Sequence, residues 1–390
     1  MNCDYLIIGG GVFGSGLAWE LASAGRDVVL LEATKIASGS SGGSGARGVR
    51  VDRRDLREIE LARRAQQLWP ELDDRLGEVT GYQQVGGLRL VEQEFVGGVG
   101  GSASLLSHAW RHEKAGIKAR ILGRSELLEL EPGIGEVITH GLFIPEDGIA
   151  PHAQTTNALA TAARRAGAVI VEHAPVDRLT WSGDTVTDVH TAERTYSPRM
   201  AVIVAANAGN PAILGADRNP VPGWSVIPQA TFVRPRKPHS IRHLVNHESR
   251  PLSVKAGPDG TVQLSGGMRG RWNTALNQPE VDDSKVAVAL THAAEVYPEL
   301  QGADVMFSEA GGPELCSPDG IPVIDLVPGA NNVYVASHWT AHGFALFPAV
   351  VEAMASWIVQ GDRPAILAPF AVERFAIPRT LVGSARQRLG

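Results

Sequence analysis

Residues 5–32 constrain this chain more than any other stretch. Tyr5-Leu6-Ile7-Ile8 is an apolar run of strand length, and Gly9-Gly10-Gly11-Val12-Phe13-Gly14 follows without a break. Leu17, Ala18, Leu21 and Ala22 recur at helical spacing, Gly25 ends that pattern, and Val28-Val29-Leu30-Leu31 makes a second apolar strand closed by Glu32. The unit is strand–turn–helix–strand with Gly9, Gly11 and Gly14 in G-x-G-x-x-G register. Its acid lies near the spacing of about 20 residues that ribose recognition requires. Gly9 permits the tight turn, Gly11 lets a pyrophosphate approach the backbone, and Gly14 lets the helix pack on the strand. The helix N-terminus offers free N–H groups and partial positive charge to phosphates. Glu32 suits a ribose 2′-hydroxyl and would repel a 2′-phosphate. This predicts dinucleotide binding, with FAD and NAD both open at this point.

At 390 residues the chain has room for two or three domains. A net charge of −6 gives no reason to expect nucleic acid as a partner. Cys3 and Cys316 are the only cysteines, which argues against a disulfide framework or a cysteine zinc site. No run of about 18 apolar residues stands out, so no membrane span is expected. The first strand begins by residue 4, so no signal peptide and a cytoplasmic location are expected.

Residues 37–48, rich in Gly and Ser, have linker composition, but Arg47 and Arg50 follow at once. A glycine-rich loop closed by two arginines suits an anionic or electron-rich ligand. A helix is expected to begin near Asp52 or Asp55, with Leu56, Ile59, Leu61, Ala62, Leu68 and Trp69 on its apolar side. Gly87–Val91 reads as a strand, Val96 to Ser104 as a glycine-rich loop, Thr155–Gly167 as a helix, and Ala201–Ala206 as a buried strand. From Trp224 to about Phe307 the alternating segments predict a mainly antiparallel region with one helix around Lys285–Val296. Val333–Ala336 is a further strand, and a helix is expected from about Pro348 to Ile358. His239, His243 and His247 fall at helical spacing, but Pro238 and Pro251 bracket them and no carboxylate cluster accompanies them, so no metal site is expected.

Three separated stretches together resemble the FAD-dependent D-amino-acid oxidase superfamily, in particular its glycine/sarcosine oxidase branch. They are the N-terminal unit through Arg50, Gly141–Gly148 with the helix after it through Val176, and Ser317–Ile324 followed by Tyr334–Phe344. The pairing of Pro318-Asp319-Gly320 with His342-Gly343-Phe344 carries the resemblance furthest and favours FAD over NAD. The fold it implies is α/β: a Rossmann-type FAD-binding domain from 1–80, 140–222 and 310–390, interleaved with a smaller, mainly antiparallel α+β substrate domain from 81–139 and 223–309.

The resemblance also implies roles. Gly9, Gly11, Val12, Phe13, Gly14, Glu32 and Ala33 would hold the ADP half, and the Val176 backbone would meet the adenine. Ser40, Ser41, Arg47 and Gly48 would lie along the pyrophosphate and flavin ring. Asp319, His342, Gly343 and Phe344 would serve the flavin's pyrimidine side, where the N-terminus of the last helix stabilises negative charge. Arg47 would touch flavin, Arg50 would clamp a substrate carboxylate, and His338 and Trp339 would border the substrate.

The implied reaction is oxidation of the C–N bond of a small amine or amino acid, with a secondary or N-methyl amine favoured, by hydride transfer to flavin and hydrolysis of the imine. Bound FAD without a covalent link is expected, because Cys316 is not at the position of the flavin-linked cysteine of sarcosine oxidases. Two lysines of that branch are replaced. Ala345 stands where a second carboxylate ligand would be, and Gln263 where a lysine would activate oxygen; the candidate substitutes are Lys255 on the adjoining strand and a protonated His338 or His342. Slow reoxidation by air is therefore expected. A dehydrogenase passing electrons to a partner protein or quinone, and a non-catalytic flavoprotein, are the competing readings. A partner subunit or a homo-oligomer stays open.

Overall fold

The computed structural model describes residues 1–93, 105–215, 218, 221 and 223–375. The glycine-rich stretch 96–104 lies outside the described residues.

The first strand, Asn2–Ile8, sits in the middle of an eight-stranded sheet. It pairs in parallel with Val28–Leu31 on one side and Thr195–Val204 on the other. Val169–Val171 and Val333–Ser337 extend the parallel set outward, and Val323–Leu326 closes one edge antiparallel. Their central segments, Tyr5–Ile8, Val28–Leu31 and Ala201–Val204, are apolar throughout because both faces are covered. Tyr5, Ile7, Val28, Leu30 and Ile203 face one core with the helices Val12–Ser23, His152–Arg165 and Gly343–Gln360. Leu6, Ile8, Val29, Leu31, Val202 and Val204 face the other, roofed by the hairpin Val176–Ser182 and Thr185–Thr191.

The second eight-stranded sheet runs in the order Asp304–Ala310, Gln229–Arg234, Val262–Ser265, Ser253–Ala256, Leu244–His247, Gly87–Val91, His140–Ile144 and Arg120–Gly123. Every pairing is antiparallel except that of Leu244–His247 with Gly87–Val91. Its apolar face packs on the helix Asp283–Val296 through Ala289, Ala293 and Val296. His140–Ile144, assigned from sequence to the nucleotide-binding part, is hydrogen-bonded between Gly87–Val91 and Arg120–Gly123 instead.

Three local expectations differ from the structure. The helix expected from Asp52 or Asp55 begins at Ile59, because Asp55 turns back to accept the Arg57 N–H, and Leu56 is exposed. The last helix starts five residues earlier than Pro348, at Gly343. Trp69 holds that early turn by packing on Phe344 and Phe347 and by donating Nε1 to the Ala345 carbonyl. This helix, of mean hydropathy 1.4, is long and apolar enough to cross a membrane by length and composition, which corrects the expectation of no such run. It lies in the interior against Val12–Ser23 and Ile59–Leu68.

Candidate active site

A cavity of about 660 Å³ runs between the two sheets, within the ordinary range for ligand sites. One end is built from backbone. Gly9 has φ of +111°, and a Cβ there would meet the Ala205 carbonyl oxygen at 2.7 Å. A Cβ on Gly14 would fall 1.8 Å from the Gly9 carbonyl oxygen, so the helix approaches the strand this closely only because residue 14 is glycine. A Cβ on Gly11 would meet nothing within 4 Å; it opens onto the cavity with Val12 and Phe13. Glu32 is held in place by the N–H groups of Gly10 (2.7 Å) and Thr34 (2.9 Å). Ala33, Ala174, Pro175 and Val176 complete this end.

The middle is the stretch of linker-like composition. Gly42, Gly43 and Gly45 all have positive φ, which fixes a loop that wraps the Arg47 side chain. The Arg47 guanidinium donates to the carbonyls of Ser41 and Ser44, each at 3.0 Å, and to that of Gly43. Ser40, Ser41, Arg47 and Gly48 line the cavity. The strand Ala46–Val49 carries Arg47 and pairs with Gly148–Pro151.

The far end is cationic. Arg50, Arg54 and Lys255 line it beside Arg47. Burial, ahead of the repulsion from Arg54, pulls the Arg50 guanidinium down to about 10, and its carbonyl oxygen accepts from Arg54 Nη2 at 2.9 Å. Lys255 and Gln263 are cross-strand partners on Ser253–Ala256 and Val262–Ser265. Gln263 Oε1 accepts the Ala46 N–H at 3.0 Å, and Lys255 Nζ donates to Ser265 Oγ at 2.9 Å. Glu314 also lines the cavity; its burial raises its proton affinity, and it accepts from the Ala341 N–H and Asn207 Nδ2. His152, whose Nδ1 has no partner, is driven down to about 4 by burial and then by Arg47.

The C-terminal wall is Trp339, Ala341, His342, Gly343, Phe344 and Ala345, with the N-terminus of the helix Gly343–Gln360 at the cavity. Trp339 stacks on Phe13 with ring centroids 3.6 Å apart. His338, Thr340 and Ala341 all have positive φ, a strained run beside the site. Glu314 pins it through the Ala341 N–H. His342 Nδ1 faces the buried Glu58 carboxylate at 3.4 Å.

Two expected site residues lie elsewhere. His338 is 2% exposed and points away from the cavity, with Nδ1 against Ser337 Oγ and Nε2 toward Gly223. The strand Val333–Ser337 ends just before His338, which takes a left-handed backbone (φ 58°), and it is Trp339 that lines the site. Asp319 is held by Arg57 at 2.7 Å and Arg374 at 3.0 Å, and lines a separate polar cavity. Arg250, an alternative carboxylate ligand, is engaged by Glu92 and Glu295 outside the main cavity. Sequence reading missed Arg54, His152 and Glu314 in the lining. Glu314 had a usable signal, an acid two residues before Cys316 between apolar neighbours. His239, His243 and His247 form no helix, and no metal-binding group exists among the described residues.

The residues present fit FAD: an open glycine cradle at a helix N-terminus, a fixed acid for the ribose, and a second helix N-terminus at the far end. A cavity with a dinucleotide cradle at one end and a cationic chamber at the other is that of a flavin-dependent oxidoreductase. The chain belongs to the family described as FAD dependent oxidoreductase (DAO), whose model matches residues 4–357. It is 26% identical to glycine oxidase of Geobacillus kaustophilus over 95% of this chain and 97% of that protein. It is also 26% identical to the mitochondrial dimethylglycine dehydrogenase of Mus musculus over 93% of this chain, but spans only 43% of that protein. The crystal structure of glycine oxidase from Geobacillus kaustophilus superposes with a TM-score of 0.83 at 23% identity, over 96% of this chain and all of that one. L-proline dehydrogenase from P. horikoshii gives 0.84 at 22% identity, over 98% of both chains. The superfamily and the α/β fold expected from sequence are those found, and FAD is the cofactor.

Proposed function

We propose that this protein oxidises the C–N bond of a small amino acid, with secondary and N-methyl amines favoured. FAD supplies the hydride acceptor; the chain supplies a chamber that orients an anionic substrate and excludes water. The observation that carries this reading is the cationic end of the cavity, where Arg50, Arg54 and Lys255 converge opposite the nucleotide cradle. Arg50 is the carboxylate ligand in this reading, since Arg250 is engaged elsewhere. Flavin binding falls to 1–80, 145–222 and 310–390, and substrate enclosure to 81–144 and 223–309. FAD is held without a covalent link, because Cys316 is buried and does not line the cavity. Acid precipitation should then leave the yellow chromophore in solution.

The test of the reaction is an anaerobic screen of glycine, sarcosine and N,N-dimethylglycine against the purified, FAD-loaded protein. Bleaching of the flavin band by one of them supports the reading, and an unchanged band with all three overturns it. Admission of air then addresses the acceptor. Gln263 offers only a dipole, and its Oε1 is taken by the Ala46 N–H. We infer slow recovery of the oxidised spectrum, accelerated in Gln263→Lys. A second reading, transfer of electrons to another protein or a quinone, draws support from the same engaged glutamine.

A further inference from the structure

Oxidation of a C–N bond draws on the nitrogen lone pair, yet an amino acid reaches the site as a zwitterion whose ammonium has none. Some group must take that proton. The carboxylates in the cavity lining are spoken for: Glu32 is bound to two backbone N–H groups at the nucleotide end, and Glu314 holds the Ala341 turn. Arg47, Arg50 and Arg54 are poor proton acceptors. Lys255 differs. It is 5% exposed, enters the cavity from the strand Ser253–Ala256, and donates Nζ to Ser265 Oγ. The neighbouring strands present Gln263, Ser265 and Asn246, all neutral, and the charges acting on it are the guanidiniums of Arg47 and Arg50.

We propose that Lys255 is the proton acceptor for the substrate ammonium, a catalytic residue working beside the Arg50 carboxylate clamp. The inference rests on the functional reading above. The step is a proton transfer alone: an N–H bond of the substrate breaks, one forms at Nζ, and the positive charge passes to Lys255 with no electrons exchanged. Lys255 is suited to it because burial, and then Arg47 and Arg50, lower its ammonium to about 7. The neutral amine is therefore abundant at neutral pH, which an exposed lysine cannot match.

The chain has six lysines, and the other five, Lys35, Lys114, Lys118, Lys237 and Lys285, are exposed. Reductive methylation of the FAD-loaded protein with ¹³C-formaldehyde gives one NMR signal per lysine and one for the α-amine, which Lys255→Met leaves in place. One lysine signal should titrate near pH 7 and be missing in Lys255→Met; titration of all six lysine signals in the ordinary lysine range overturns the proposal. The second arm is anaerobic flavin reduction against pH, using whichever of glycine, sarcosine and N,N-dimethylglycine bleaches the flavin. The wild-type rate at subsaturating amine should fall below about pH 7. In Lys255→Met that limb should move up toward the amine's own value, with a loss of about a hundredfold at pH 7. Lys255→Arg keeps the charge but not the base and should not restore the rate. A limb unmoved in Lys255→Met, or full rescue by arginine, removes the inference and leaves the functional reading standing. No reduction by any amine removes both.

Discussion

The two ends of the cavity recognise their ligands by different means. The nucleotide end uses backbone: Gly9, Gly11 and Gly14 work through the absence of a side chain, and Glu32 is fixed by two main-chain donors within one continuous segment. The far end uses charged side chains that meet only through tertiary structure, with Arg50 and Arg54 close to the strand Ala46–Val49, Lys255 from the second sheet and the C-terminal wall from Trp339–Ala345. A backbone site tolerates no added atoms, whereas a side-chain site can lose one contact and keep its shape. Mutations at the first should therefore cost cofactor and fold, and mutations at the second should cost substrate alone.

The sharpest break in that contrast comes from Gly14→Val. A Cβ 1.8 Å from the Gly9 carbonyl forces helix and strand apart, so the purified protein should lack flavin absorbance and melt below the wild type. Stoichiometric FAD in this variant would falsify the account of the glycine cradle. Arg50→Ala should keep its flavin and bind a carboxylate-bearing substrate about a hundredfold more weakly, for a loss of roughly 2–3 kcal/mol. An unchanged substrate constant would mean that the substrate lacks a carboxylate. Glu32→Gln retains shape but loses charge at the ribose, and FAD affinity measured by fluorescence should fall about tenfold. The mildest effect is on binding of a simple anion. Because the Lys255 ammonium sits near 7, it is charged below that pH and neutral above it. Acetate, followed by its perturbation of the flavin spectrum, should bind several-fold more tightly at pH 6 than at pH 8, and Lys255→Met should flatten that dependence.

The same contrast explains what the sequence revealed. The first 32 residues announce their role because each job depends on local spacing. The parallel strands were also readable, since Ala201-Val202-Ile203-Val204 is apolar on both faces. Arg47 and Arg50 were visible because a glycine-rich loop adjoins them. His338 was misread because the chain leaves its strand at Ser337 and turns through a left-handed backbone at His338, which spacing in the sequence does not reveal. Asp319 was misread because its partners, Arg57 and Arg374, are remote in the chain. Lys255 was legible as a charge on the strand next to Gln263, but its depressed proton affinity comes from burial and two arginines some two hundred residues earlier.

The stack of Phe13 on Trp339 joins the first turn of the first helix to the strained C-terminal turn. During synthesis the cradle residues leave the ribosome long before Trp339 and the helix that follows it. A nascent chain therefore holds one wall of the chamber for most of its elongation, with nothing to close it. Chains that form such long-range contacts are slow to complete and expose apolar surface while they wait. Cofactor loading becomes one of the last events in the life of the growing polypeptide, and free FAD in the expression medium or refolding buffer should raise the yield of folded protein by capturing the closed form as it first appears.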